Sequence, residues 1–344
     1  MAAKNSKSDN LPALPKYLIE DEQLSQECKD LIDTLPTESG WINNYIHQYN
    51  GFWLNTGQLQ GTLNCRSYFQ AQDSDILLVT SPKAGTTWLK ALSFTILNRK
   101  THYPNPQSDL TQTHHLHPLL TTNPHDLVPF LDTVLYFQTT MPDLRSFPSP
   151  RLFATHLPYI LLPESVKQSR CKIVYLCRNP NDQFVSMWHF ANKLRPETRG
   201  LISIEDSFDK FCQGKIGYGP FWDHILGYYK ESLERPEKTM FLRFEELKSA
   251  PVNVLKDLAE FIGCGFSKDE ENDNIVENIL KLCGFENLSN LEVNKSGKVW
   301  CGIENKAYFR RGQVGDWKNF LTSDMIKHLN LITQEKLGKH GFNF

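Results

Sequence analysis

The sequence predicts an α/β fold: a P-loop-like parallel sheet flanked by helices on both faces. Three observations carry this. Short apolar runs at 76–80, 152–157, 172–177 and 239–244 read as buried strands. Stretches with helical spacing separate most of them, as parallel strands require. Two of the runs, 76–80 and 172–177, end in Pro-containing loops with Lys or Arg that open directly into helices. Ligands of open α/β sheets bind at such strand C-termini.

Taken in order, residues 1–20 read as a disordered tail and residues 21–344 as one domain. Helical spacing runs from Asp21 to about Leu35. A second helix is expected from Gly40 to Trp53, with Trp41, Ile42, Tyr45, Ile46 and Tyr49 on one apolar face. Strand 76–80 leads to an amphipathic helix at 88–98. The Pro- and His-rich stretch 100–130 reads as a long excursion, and such loops are often functional. Strands are expected at Thr133–Gln138, Leu152–Leu157 and Lys172–Cys177, and a helix from Asp182 to Lys193. Further helices are expected near 205–213, 220–234, 251–262 and 272–282, a strand at Thr239–Phe244, and a last helix at 323–337. Region 290–315 shows no clear period.

The chain has 344 residues, is 40% hydrophobic and 22% charged, and carries a net charge of −2. These values fit a soluble globular protein and give no general attraction to nucleic acid or to an anionic membrane. Any anion site must be local. No window approaches ~18 apolar residues, so no transmembrane helix is expected. The N-terminus lacks the apolar core of a secretory signal. The eight cysteines are scattered, with no C-x-x-C pair. Reduced thiols in a cytoplasmic protein are the natural reading.

The richest segment is Ser81-Pro-Lys-Ala-Gly-Thr-Thr-Trp88. A loop delivered to a helix N-terminus offers unpaired backbone N–H groups and a favourable dipole to an anion. Lys83 adds a full charge, and Thr86 and Thr87 add hydroxyls. The pattern is not a Walker A motif, G-x-x-x-x-G-K-S/T, because Lys83 precedes Gly85 by two positions. Taken alone, it also fits an ordinary β–α connection with a threonine-capped helix. Arg178 and Ser186 repeat the logic after strand 172–177, since Arg binds phosphate in bidentate fashion. Arg310 and Arg311, in a loop with Gly312, form a third cationic element. Separately each has an unremarkable structural explanation. Together, in a slightly acidic chain, they point to a ligand with two separated anionic groups. His114, His115, His117 and His125 invite a metal reading, but no Cys or paired acid joins them, and a pocket-rim loop is preferred.

These residues resemble the cytosolic sulfotransferases that use 3′-phosphoadenosine 5′-phosphosulfate, the plant soluble branch in particular. The resemblance covers about 40–340. It rests on PKAGTTWLKAL near 82, FATHLP at 153–158, YLCRNPNDQFVSMWHF at 175–190, FENLSNLEVNKSG at 285–297 and FRRGQVGDWKN at 309–319. It implies that Lys83, Ala84, Gly85, Thr86, Thr87 and Trp88 hold the 5′-phosphosulfate end, with Trp88 near adenine. It implies that Arg178 and Ser186 hold the 3′-phosphate and that Arg310, Arg311 and Gly312 close over it. Phe285 and Phe244 would lie by adenine, and Cys283 stands where the family usually has Thr. His156 would be the general base and Lys83 would stabilise the leaving group. No metal is required. The product is 3′-phosphoadenosine 5′-phosphate, and the partner is a small-molecule hydroxyl acceptor of flavonoid, hydroxyjasmonate or steroid type.

Several positions depart from the family pattern. Ala84 replaces a frequent Ser, Ala154 a Lys of animal members, and Phe244 a Tyr. The animal dimer pattern is broken at 318–327, so a monomer is expected. A P-loop nucleotide kinase and a binding module without catalysis remain as other readings of the same residues.

Overall fold

The computed structural model describes residues 24–102, 117–137 and 141–344. The expected tail at 1–20, and with it His114 and His115, lies outside the described residues. After a short helix, Gln26–Ile32, the chain forms a three-stranded antiparallel sheet of β1 (Thr37–Ser39), β2 (Tyr45–Tyr49) and β3 (Phe52–Leu54). The helix expected at 40–53 is therefore a hairpin. Its cause is Asn50-Gly51, which sits between the paired residues Tyr49 and Phe52 with φ of 48° and 83°. Two consecutive residues of positive φ make the tight turn that matches strand twist. The helix lies further on, at Thr56–Tyr68, started by a reciprocal Asn55–Gln58 capping box.

The central sheet has four parallel strands in the order β5–β4–β6–β7: β4 (Ile76–Thr80), β5 (Leu152–Thr155), β6 (Lys172–Cys177) and β7 (Thr239–Arg243). Alternate residues feed two cores. Leu77, Val79, Ile173 and Tyr175 pack with helices Pro180–Leu194, Ile204–Cys212 and Phe221–Glu234. Ile76, Leu78, Val174 and Leu176 pack with helices Thr86–His102, Pro251–Phe261 and Ile275–Leu282. Both faces are covered, as the unbroken apolar strands require.

Two expectations change in detail. The strand expected at 133–138 does not form over the described residues 133–137. Leu131–Leu135 forms a single π-helical turn, with Tyr136 N–H donating to the Leu131 carbonyl at 2.8 Å. The fully buried Asp132 carboxylate anchors it, accepting from Thr155 Oγ1 at 2.7 Å and from the Tyr218 hydroxyl. Helix Thr86–His102 is not amphipathic, because Leu89, Lys90, Ala91, Leu92, Ser93, Thr95 and Ile96 are all fully buried. It is a core helix with polar residues inside.

At the end of the sheet away from the loops above, Arg151 makes a buried bidentate pair with Asp75, Nε–Oδ1 2.7 Å and Nη2–Oδ2 2.6 Å. Removing one partner strands the other charge in the core. Asp75→Ala is expected to destabilise the protein by about 3–5 kcal/mol. Urea unfolding checks this, and a loss below about 1 kcal/mol would assign the pair a negligible role.

Candidate functional site

The register of the sheet builds the site. β4 pairs Val79 with Thr155 and Thr80 with Leu176. The residues just past those strand ends, the 81–85 loop, His156 and Arg178, must therefore emerge side by side. Lys83 takes a left-handed φ of 69°, and Gly85 a φ of 119°. Such a backbone is strained for a lysine and is held by its surroundings. A Cβ on Gly85 would meet the Phe244 ring at 2.8 Å, so the Phe244 side chain sets how low the loop lies. Thr86 turns inward, its hydroxyl 2.7 Å from that of Thr80. Gln183 Nε2 donates to the Pro82 carbonyl at 2.7 Å and fixes the loop from the side.

Arg178 joins the three basic elements. One guanidinium nitrogen donates to the Lys83 carbonyl at 3.4 Å and another to the Gln313 carbonyl at 2.7 Å. Its carbon lies 4.6 Å from the centre of the Phe244 ring. Arg310 and Arg311 both bind the Asp316 carboxylate, Arg311 at 2.6 Å. The Asp182 carboxylate accepts from the backbone of Gly315 at 2.7 Å and of Trp317 at 3.2 Å. The third loop is thereby tied to the start of helix Pro180–Leu194. Ser186, one turn beyond Asp182, is buried on this helix. A Cβ on Gly312 would lie 2.5 Å from Phe285, so that glycine permits close contact with the ring. The buried Nε atoms of Arg178 and Arg310 and the indole Nε1 of Trp88 have no partner among the described residues. Buried donors left unpaired are costly and suit a ligand rich in acceptors.

Lys83 Nζ lies 4.0 Å from the centre of the Phe190 ring and 5.7 Å from that of Tyr308. Loss of water contact, then the charges of Arg178, Arg310 and Lys193, push its amine down to about 7. An anion placed among these cations would push it back up.

His156 follows β5. Its Nδ1 lies 2.7 Å from the Thr80 carbonyl, which can only accept, so Nδ1 carries the proton and Nε2 keeps its lone pair. The His156 carbonyl accepts from His224 Nε2 at 2.9 Å, and the Tyr175 hydroxyl lies 2.9 Å from His224 Nδ1. Burial pushes the His156 imidazole down to about 3, with the charges of Lys90 and Lys83 adding to the shift. It is neutral at physiological pH.

His156 and Lys83 line one cavity of about 260 Å³. Trp41, Phe130, Phe137, Tyr218, Trp300 and Tyr308 supply its aromatic walls, and among the described residues Lys83 is the sole charged side chain in it. The 40–43 wall is clamped from behind. Arg199 donates to the carbonyls of Ile42 at 2.7 Å, Asn43 and Gly40, and Arg195 to that of Trp41. Trp53 is buried in β3 and is not part of this wall.

Of the other expected site residues, Ala84 is fully buried under the loop and Trp88 meets Phe244 edge-on at 5.8 Å. Cys283 is fully buried with its sulfur 3.5 Å from Thr95 Oγ1, and burial pushes its thiol up to about 12. It belongs to the second core. His117 caps a turn by accepting from Leu119 N–H. Sequence reasoning missed Lys90, Asp132, Tyr218 and His224. Lys90 sits near the end of the 82–92 motif and the other three in none, and each gains its place through contacts distant in the chain.

The chain matches the sulfotransferase domain over residues 73–341. It is 49% identical over 332 residues to Cytosolic sulfotransferase 12 of Arabidopsis thaliana, covering 96% of this chain and 98% of that one. With Cytosolic sulfotransferase 15 of the same plant it shares 46% over 325 residues, covering 94% and 89%. A crystal structure of a putative steroid sulphotransferase of Arabidopsis thaliana matches with a TM-score of 0.71 at 41% identity, covering 94% of this chain and 99% of that one. Mouse sulfotransferase SULT7A1, crystallised with PAP, has the same fold, with a TM-score of 0.62 at 24% identity over 85% and 94% of the two chains. The parallel sheet, the loop at 81–85 and these likenesses place the chain in the sulfotransferase family, among the plant cytosolic members.

Proposed function

We propose that this sulfotransferase moves the sulfuryl group of 3′-phosphoadenosine 5′-phosphosulfate to the hydroxyl of an uncharged small molecule, with His156 as general base. The observation that carries the reading is Arg178, whose one guanidinium touches both the Lys83 loop and the Arg310–Arg311 loop. Two phosphate-sized anionic groups could be held at once, by 83–88 at one end and by Arg178, Ser186 and Arg310–Gly312 at the other. Phe244, Phe285 and Trp88 offer ring faces between them, and Cys283 lies behind. The donor supplies an activated sulfur–oxygen bond. A P-loop kinase reading is set aside by the family.

The protein's part follows from its charges. His156 Nε2 accepts the acceptor's hydroxyl proton as that oxygen bonds to sulfur. The bond from sulfur to the 5′-phosphate oxygen breaks, and its electron pair stays on the phosphate. Lys83 and the loop N–H groups stabilise that charge. A dianion beside His156 also raises the basicity that burial removes. No residue in this scheme needs a metal. The acceptor cavity has aromatic walls and, among the described residues, no cation remote from Lys83. That favours a flavonoid- or steroid-like acceptor over a hydroxyjasmonate carboxylate, which would be buried unpaired. A cytosolic location accords with the names of the relatives, and we take the protein to act as a single-domain monomer.

Three outcomes test this. His156→Asn is expected to lower kcat by roughly 10²-fold or more while leaving affinity for 3′-phosphoadenosine 5′-phosphate unchanged. Near-normal turnover in the folded variant would remove the general-base role. Affinity for that nucleotide is expected to fall as pH rises above about 7, because the Lys83 amine, at about 7 when free, must then take up a proton to pair with phosphate. Calorimetry at pH 7 and 9 checks this, and Lys83→Met should flatten the dependence. In a sulfate-transfer panel with radiolabelled donor, kcat/KM should favour uncharged phenols and sterols over carboxylate-bearing acceptors by roughly 10²-fold or more. Preference for the carboxylates would overturn the acceptor assignment.

A further inference from the structure

Lys90 and His125 have no assigned role above beyond the effect of Lys90 on the His156 imidazole, yet both are buried polar groups beside the reacting groups. Lys90 is fully buried within helix Thr86–His102 and is in no ion pair among the described residues. Its Nζ lies 3.3 Å above the centre of the Phe130 ring and 3.2 Å from His125 Nδ1. Burying a lysine without a carboxylate partner is costly, and a fold keeps such a group only where something offsets the loss.

His125 is fixed from several sides. It lies on the short helix Pro124–Leu127, whose Asn123 cap accepts from the His125 backbone N–H at 2.9 Å. Asn123 is held in turn by Asn294 at 2.8 Å. The ring packs 4.1 Å from Tyr308 and 5.7 Å from Phe130, centre to centre. Its Nε2 lies 2.9 Å from Thr87 Oγ1.

The direction of these bonds decides what they do. Lys90 has N–H groups to give in either protonation state. If Lys90 donates to Nδ1, the imidazole proton sits on Nε2 and is donated to Thr87 Oγ1. The Thr87 hydroxyl hydrogen is then released from the protein and can point at an anion. The Thr86 hydroxyl is shared with that of Thr80 at 2.7 Å, a bond in which either oxygen can donate. We propose that Lys90 and His125 are positioning residues, a relay that orients the Thr87 hydroxyl as a donor to the 5′-phosphosulfate end of the nucleotide. The assignment rests on the nucleotide reading above. In the reverse direction Thr87 would spend its hydrogen on His125, and the pair would serve packing alone.

Calorimetric titration of the full-length protein with 3′-phosphoadenosine 5′-phosphate separates the two directions without any turnover. His125→Phe keeps the ring and removes both nitrogens. Thr87→Val removes the hydroxyl and keeps the shape. Each is expected to raise Kd by about tenfold, the scale of one lost charge-assisted hydrogen bond. The double variant should bind no more weakly than Thr87→Val alone, because both changes remove one contact. His125→Gln, which returns an amide N–H near the Nε2 position, should recover most of the loss and also serves if His125→Phe does not fold. An unchanged or tighter Kd for His125→Phe, losses that multiply in the double variant, or no recovery with glutamine would overturn the relay while leaving the nucleotide assignment intact. A wild-type protein that fails to bind the nucleotide removes both.

Discussion

Parallel pairing of β4 with β5 on one side and β6 on the other is the constraint from which the rest of the site follows. Strands in register run neighbours about 4.8 Å apart, so their C-terminal ends cannot drift relative to one another. The residues that follow them are far apart in the chain. His156 reaches the Thr80 carbonyl across 76 positions, and Arg178 reaches the Lys83 carbonyl across 95. A slip of one residue would turn every strand side chain to the opposite core. The two apolar faces therefore protect the alignment of the polar ends.

Much of this was legible in the chain, for reasons that differ by element. β4 (Ile76–Thr80) and β6 (Lys172–Cys177) are mainly apolar runs, charged only at Lys172, and both appear with the expected bounds. Loops 81–85 and 178–182 carry their chemistry in adjacent residues, so their roles as strand-to-helix connections were local. Apolar spacing misled at 40–53, where the Asn50-Gly51 turn outweighs a pattern that also fits a helix. At 131–135 β-propensity lost to a buried carboxylate whose partners, Thr155 and Tyr218, lie 23 and 86 positions away. Lys90 drew no notice in the sequence. Nothing local signals that Phe130 and His125 close over it.

The same region concentrates what a stability-driven sequence would avoid. Lys83 has a left-handed backbone, three cations crowd it, and Lys90 lies in the core. Each is unfavourable on its own. Together they keep donors and charges in place before any ligand arrives, so reorganisation during the reaction is small. The cores on both faces of the sheet supply the stability that such an arrangement consumes.

The wall at 40–43 belongs to the N-terminal antiparallel sheet region, outside the strands that hold Lys83, His156 and Arg178. Arg195 and Arg199 grip it through main-chain carbonyls, contacts indifferent to which side chains stand there. A duplicated copy of this gene could therefore exchange the half-buried Ile42 and drift toward a new metabolite, with its donor machinery left intact. Here, the freedom to change recognition on a fixed chemistry follows from where two guanidinium groups are anchored.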